Sequence, residues 1–358
     1  MLSLAGRLDR SRFEPHLAVL EKAGPYLEEA PRDLPLHDLG TRRVRRAALA
    51  VTRLVRSLGP QAVLSTLGEL NLMLILTKPF WPGGVRLLVR ESTLASAWLA
   101  QDVRRPRLLA ALFRCLYPRA DAIICPSDAV LRDLSESFRV PRDKLARIYN
   151  PLDVDRIRRL ACVQQSPHAG AGPHLVSAGR LAPVKGFDLL IRAMAEVVKV
   201  FPSADLAIVG EGSLEAELRT LARRLGLAER VHFPAFQANP YPWLKHADLF
   251  VLSSHYEGLP NAALEALALG TPVVARDCPG GVREILARCP LGRLVSGDDA
   301  QVLAEGIVHA LRAGLKASDA LDVEGFLDRF RPEQVIRQYE DLLLNADYEP
   351  GGHSQRPV

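Results

Sequence analysis

From residue 173 onward, short β-rich runs alternate with amphipathic helical patterns, and that alternation admits few architectures. The runs HLVSAG (174–179), ADLAIVG (204–210), RVHF (230–233), DLFVLSS (248–254) and TPVVA (271–275) read as strands. Helical patterns over 187–201, 213–225, 260–269 and 282–286 separate most of them. In the first helix Phe187, Leu190, Ile191, Met194, Val197 and Val198 form one apolar stripe, and Phe201-Pro202 ends it. Strand, helix, strand in this order implies a parallel, doubly wound α/β sheet with helices on both faces.

The first half repeats the theme less cleanly. PHLAVL, AVLSTL, VRLLVRES, DAIICPS and LARIYN read as strands, with helices over about 41–58 and 106–116. A chain of 358 residues exceeds what one core usually serves, and 48% apolar residues can fill two. The segment QQSPHAGAGP (164–173) is rich in Gly, Ala and Pro and reads as a linker. The expected division is therefore an N-terminal domain over 1–163, a linker over 164–173, a C-terminal domain over 174–330, and a final helix and tail over 331–358 that could pack on either lobe. Two such domains facing each other leave a cleft at the C-terminal ends of their strands, where open α/β sheets take ligands. The opening LSLAGRLDRSR resembles the end of a helix and runs straight into PHLAVL, so the usual buried first strand and glycine-bearing turn are not found. A sheet lacking that central strand carries unpaired backbone groups, and the N-terminal domain is expected to be incomplete at its start.

Charge is unevenly spread: residues 1–153 hold 24 Lys/Arg against 16 Asp/Glu, and the remainder holds 22 against 25. The densest basic stretch has Val44, Ala48, Val51, Val55 and Leu58 at helical spacing, with Arg42, Arg46 and Arg53 opposite. An ordinary solvated face accounts for this, and attraction to anionic lipid headgroups is the alternative. Nucleic acid is disfavoured, because no aromatics capable of stacking bases are interleaved. The apolar run 72–76 is too short to cross a bilayer, and the sequence does not open with a basic start, apolar stretch and cleavage site, so the expected location is the cytoplasm, with peripheral contact at the inner membrane face as an option. Cys115, Cys125, Cys162, Cys278 and Cys289 lie far apart without metal-ligand spacing and read as buried free thiols.

Chemistry concentrates in SSHYEGLPNAALEALALGTPVVA (253–275). A strand ends in a tight turn at Glu257-Gly258, and Pro260 is expected at the first helical position, where its missing N–H does no harm. Amides around Gly258 and Leu259 are then placed to face an anion, helped by the helix dipole. Glu265 lies one turn beyond Asn261 and suits hydroxyl donors such as a ribose diol. A second constellation, SAGRLAPVKGFDLL (177–190), carries Arg180 and Lys185 on one strand-to-helix loop after Gly179, which suits a diphosphate.

These stretches, with NPLD from Asn150, VGEG at 209–212 and the run from Asn239 to Leu286, resemble the retaining glycosyltransferase family 4. The resemblance is strong over about 145–345 and weak before, and the glutamates Glu257 and Glu265 with seven residues between them are its most specific element. It implies a GT-B fold of two Rossmann-like domains and a nucleotide-sugar donor. Arg180 and Lys185 match the residues that hold the donor diphosphate, Glu265 the one that binds the ribose, and Glu257 the one that faces the transferred sugar. Gly258, Leu259 and Pro260 match the phosphate-side turn, while Gly210 and Gly212 are a weaker GxG pattern that a tight loop explains equally well. The loop 277–281 (DCPGG) either lines the cleft or turns the chain.

Catalysis in this family needs no side-chain nucleophile, so Glu257, Arg180 and Lys185 are expected to orient the sugar and offset charge on the departing diphosphate. No metal or other cofactor is expected, and Asp153-Val154-Asp155 fits the family's interlobe segment better than a metal site. Glu91, in VREST (89–93), stands where relatives offer a histidine; it is either an acceptor-side group or a carboxylate paired with Arg90. The expected reaction moves a hexose or N-acetylhexosamine from a nucleotide sugar, a UDP-sugar first among donors, to a lipid-linked or polysaccharide acceptor in envelope-glycan assembly. A nucleotide-sugar epimerase of the same fold and a non-catalytic sugar-nucleotide binder are the alternatives. A chain complete as given, without the first strand and its glycine loop, is expected to transfer sugar poorly.

Overall fold

The computed structural model of the chain describes residues 1–22, 27, 30–41, 43–66, 68–103, 105–162, 166–168, 170–287, 289–314 and 323–344. Two compact units emerge: Met1–Tyr149 together with the segment from Glu333 onward, and Asn150–Pro332.

In the first unit, β1 (Leu17–Val19) and β2 (Leu36–Asp38) form a parallel pair. β3 (Ala62–Ser65), β4 (Arg86–Arg90), β5 (Ala122–Cys125) and β6 (Leu145–Arg147) form a separate parallel sheet in chain order. Among the described residues no strand joins the two pieces, and β3 is only half-buried where β5 is buried throughout. One face of the larger sheet is covered by the first residues of the chain and by the last described helix. Leu4 from the first helix (Leu2–Arg7), Leu8 just after it, and Val335, Ile336, Tyr339 and Leu342 from the helix Pro332–Leu344 pack on Leu88, Ala122, Ile124, Ala146 and Ile148. Hydrogen bonds from the Asp9 amide to Glu340 (2.9 Å) and from Arg86 to the carbonyls of Leu342 and Leu343 (3.1 and 2.9 Å) fix this contact.

The basic helix spans Val44–Leu58 as its stripe predicts, with Ala48, Val51 and Val55 buried and Arg46 and Arg53 exposed; Leu58 departs from the stripe and is exposed. Arg42 lies outside the described residues. The apolar run 72–76 belongs to a helix, Gly68–Thr77, that buries Leu70, Leu72, Leu74 and Ile75 in this unit. No helix among the described residues is long and apolar enough to cross a membrane.

The second unit holds one parallel sheet of β7 (His174–Ala178), β8 (Asp205–Val209), β9 (Val231–His232), β10 (Leu249–Leu252), β11 (Val273–Arg276) and β12 (Gly292–Val295). The order is β12-β11-β10-β7-β8-β9. The chain therefore winds outward from β7, returns to lie beside it at β10, and winds outward the other way, which puts the topological switch between β7 and β10. The helix Phe187–Val200 buries Phe187, Leu190, Ile191, Met194 and Val197 against the sheet. A neighbouring helix, Ala300–Ala313, and β12 complete the layers; neither was expected, because β12 begins at a glycine and carries Arg293, and the helix stripe is interrupted by Gly306.

Two expectations need correction. The boundary falls between Tyr149 and Asn150 rather than in 164–173, because the helix Val154–Leu160 packs on the helices Tyr241–Lys245 and Asn261–Ala268 of the second unit. Of the expected linker, residues 164, 165 and 169 lie outside the described residues, as does the tail beyond Leu344. The final helix, expected on one lobe or the other, packs in the first unit. Cys125, Cys278 and Cys289 are buried free thiols, but Cys115 and Cys162 are exposed.

Candidate active site

The loops after β7 and β10 meet at the switch point. Lys185, in the short turn Pro183–Lys185 that follows β7, places Nζ 2.6 Å from Oε1 of Glu257, which follows β10. Both side chains are largely buried, at 23% and 11% exposure. Ser254 donates to the same carboxylate oxygen at 2.7 Å, and Ser253 donates to the Lys185 carbonyl at 2.8 Å. The His255 amide donates to the Val184 carbonyl at 2.8 Å, so the two loops are joined by backbone as well as by charge.

The adjacent loops are stitched on in the same way. After β8, the Leu181 amide donates to Glu211 O (2.9 Å) and the Leu214 amide to Leu181 O (3.1 Å). The backbones come so close that a Cβ at Gly210 would lie 2.0 Å from Gly179 O, and one at Gly212 would lie 2.4 Å from Leu181 O. Close packing thus accounts for both glycines without a ligand. After β11, Glu257 N donates to Pro279 O (3.0 Å) and Gly281 N to Gly258 O (3.1 Å), so the loop 277–281 holds the Glu257-Gly258 turn in place.

Pro260 is the residue before the helix rather than its first position: its backbone is extended, and the helix runs Asn261–Ala268. The amides of Leu259, Asn261 and Ala262 donate to no group among the described residues, and the helix start has no side-chain cap. The Asn261 side chain accepts a hydrogen bond from Asn150 at 2.7 Å. The Glu265 carboxyl makes no hydrogen bond or ion pair among the described residues, and burial pushes it up to about 7. A desolvated carboxyl with no internal donor is fitted to accept from hydroxyls that a ligand brings. Arg180 is exposed at the start of the loop after β7 and touches no charged group among the described residues. The Lys185 stem lies along Gly179, where a Cβ would stand 3.3 Å from Cε.

Elsewhere, Asp153 caps the helix Val154–Leu160 by accepting from the Arg156 amide at 2.9 Å, which gives the DxD pattern a structural task. Glu91, in the first unit, is buried at 4% exposure and accepts from Asn71 (3.2 Å) and from the Tyr117 hydroxyl. Burial pushes its carboxyl up to about 7 against the pull of those donors and of the nearby Arg90 charge.

A profile described as glycosyl transferases group 1 matches residues 162–323, and one described as Glycosyltransferase Family 4 matches residues 1–156. Over 260 residues the chain is 31% identical to an N-acetylgalactosamine-N,N'-diacetylbacillosaminyl-diphospho-undecaprenol 4-alpha-N-acetylgalactosaminyltransferase of Campylobacter jejuni, covering 73% of this chain and 69% of that protein. The chain belongs to the group 1 glycosyltransferases. Other curated relatives are matched over half of their own length or less. The lipopolysaccharide core biosynthesis glycosyltransferase LpsD of Rhizobium meliloti is 38% identical over 47% of this chain and 48% of its own. Among solved structures, Anabaena HepE in complex with UDP and glucose superposes with a TM-score of 0.78 at 19% identity, over 96% of this chain and 94% of that one, which establishes the shared two-domain Rossmann-like fold.

In this glycosyltransferase, sequence reasoning singled out Lys185, Glu257 and Glu265 but not the residues around the Lys185–Glu257 pair. Ser254, which donates to Glu257, and Arg276, whose guanidinium contacts His255 Nδ1 at 2.8 Å and the Ser254 carbonyl at 3.3 Å, carried no assignment. The signal for Ser254 was its place three residues before Glu257 at a strand end; Arg276 gave none. Cys278 is buried beside the site, and its thiol is pushed up to about 12 by burial and the Glu257 charge, which leaves it chemically inert.

Proposed function

We propose that this glycosyltransferase moves a hexose or N-acetylhexosamine, with retention of anomeric configuration, from a UDP-sugar to a lipid-linked or polysaccharide acceptor in envelope-glycan assembly. The observation that carries this reading is the Lys185–Glu257 contact at the topological switch, beside the uncapped start of the helix Asn261–Ala268. In the proposed complex Lys185, Arg180 and the amides after Gly258 meet the diphosphate, Glu265 accepts from the ribose hydroxyls, and Glu257 meets the sugar. The C1–phosphate oxygen bond breaks, the acceptor oxygen forms the new C1 bond on the same face, and its proton passes to the departing diphosphate. Charge developing on that diphosphate is offset by side chains and amides, without a divalent cation.

The acceptor class draws support from relatives whose names give undecaprenyl-diphosphate and lipopolysaccharide core substrates. The exposed Arg46 and Arg53 on the helix Val44–Leu58 suit an acceptor presented at an anionic membrane on the cytoplasmic side. The test is incubation of the purified protein in chelator with UDP-glucose, UDP-galactose, UDP-GlcNAc or UDP-GalNAc and lipid extract, with products identified by mass. Transfer of one hexose unit to a lipid-linked saccharide is expected. Conversion of one UDP-sugar into another without transfer would instead identify an epimerase.

A further inference from the structure

A second polar cluster lies at the other end of the same sheet. His174 opens β7 and its register partner Asp205 opens β8, while His168 comes from the segment before β7. His168 Nε2 sits 2.8 Å from the Trp243 carbonyl oxygen, an acceptor only, so the ring proton belongs on Nε2 and a neutral ring keeps its lone pair on Nδ1. That Nδ1 is buried without a hydrogen-bond partner, in a side chain 1% exposed. It faces Asp205 Oδ1, also buried and unpartnered, at 4.0 Å. Asp205 Oδ2 is 2.8 Å from His174 Nδ1, and the two imidazoles stack at 4.9 Å with their planes 18° apart, so both turn an edge to one carboxylate.

Two lone-pair atoms facing each other away from water repel unless something positive lies between them. Their separation exceeds a hydrogen bond, yet two bonds of about 2.0–2.2 Å to one metal ion can span it. One ligand atom from each of the three residues lies within 4.8 Å of the others. Two imidazoles and one carboxylate form a donor set for Zn²⁺ rather than for the oxygen-seeking Ca²⁺ or Mg²⁺.

We propose that His168, His174 and Asp205 bind a zinc-class divalent cation that fastens the segment preceding β7 to the starts of β7 and β8. The site is at the opposite strand ends from Lys185 and Glu257, so the ion holds structure and takes no part in sugar transfer. Binding draws the two rings out of their stack and into a shared coordination sphere with Asp205.

Among the described residues a rival is the pair His16 and His37, whose Nδ1 and Nε2 lie 2.8 Å apart. The experiment is therefore a calorimetric titration of metal-stripped H16A/H37A protein with Zn²⁺, repeated after adding His168→Gln or Asp205→Asn. One equivalent is expected to bind, with affinity at least tenfold weaker in either added variant and a higher thermal midpoint only when the site is intact. Absence of saturable binding, or binding unaltered by both substitutions, overturns the proposal. Should the variants fail to fold, Co²⁺ added to H16A/H37A protein provides the second readout: intense visible bands of four-coordinate Co²⁺ are expected, and their absence is equally decisive against it.

Discussion

Lys185 and Glu257, 72 residues apart, form an ion pair of 2.6 Å at the point where the second sheet reverses its winding. Each charge neutralises the other in a largely buried place, and in the proposed complex a bound donor divides them between diphosphate and sugar. Removing either partner alone leaves the other uncompensated, the costly case for buried charge. We expect Lys185→Ala and Glu257→Ala each to lower stability by about 1–3 kcal/mol, and the double variant to lose less than the two combined, with a coupling of about 0.5–3 kcal/mol. Chemical denaturation of the four proteins in a double-mutant cycle measures this.

Glu265 gives a pH dependence of definite sign. Its folded carboxyl, at about 7, holds a proton that the unfolded chain releases near 4.5. The stability it contributes is complete below 4.5 and is lost as pH rises to 7. Glu265→Gln is therefore expected to be more stable than the natural protein at pH 8 and no more stable at pH 4. Donor binding runs the other way, since the ionised carboxylate is the better acceptor. UDP affinity is expected to rise up to about tenfold per pH unit below 7 and to level off above it, and Glu265→Gln is expected to remove that slope. Calorimetric titrations across pH 5.5–8.5, about three units, read the slope directly.

Gly212 tests how tightly the loops are joined. A methyl group there meets the backbone of Leu181 at 2.4–2.8 Å, so one loop must shift. Gly212→Ala is expected to cost about 1–3 kcal/mol in stability and to weaken UDP binding, because the displaced loop carries Arg180 and Lys185. A thermal melt paired with a UDP titration separates the two effects.

Glu91 is tied to the interior of the first unit by Tyr117 and Asn71. Glu91→Ala leaves the buried Tyr117 hydroxyl without its acceptor and is expected to cost about 1–3 kcal/mol, whereas Glu91→Gln keeps an acceptor and flattens the stability profile between 4.5 and 7. Sugar transfer retained by the Gln variant would mark the residue as a packing group; transfer lost with the fold intact would mark it as acceptor-side.

The repeated strand and helix patterns made the second sheet legible, because Phe187, Leu190, Ile191, Met194 and Val197 can share one face only on a helix. Glu257 and Lys185 were legible as polar residues at strand ends, but their contact depends on β7 lying beside β10, a neighbour relation no local pattern encodes. The unit boundary was misread because QQSPHAGAGP has a linker's composition, while the helix Val154–Leu160 buries only Ile157 and so shows little apolar signal. His168, His174 and Asp205 went unnoticed for a similar reason: two of them are brought together by strand register and the third by a loop.

The central claim is that the second unit holds the diphosphate and ribose of a nucleotide sugar, and titration of UDP into Lys185→Ala and Glu265→Gln at pH 8 tests it most directly. The account predicts that each variant binds about tenfold or more weakly than the natural protein while keeping its native circular dichroism. Undiminished UDP affinity in both variants would contradict it.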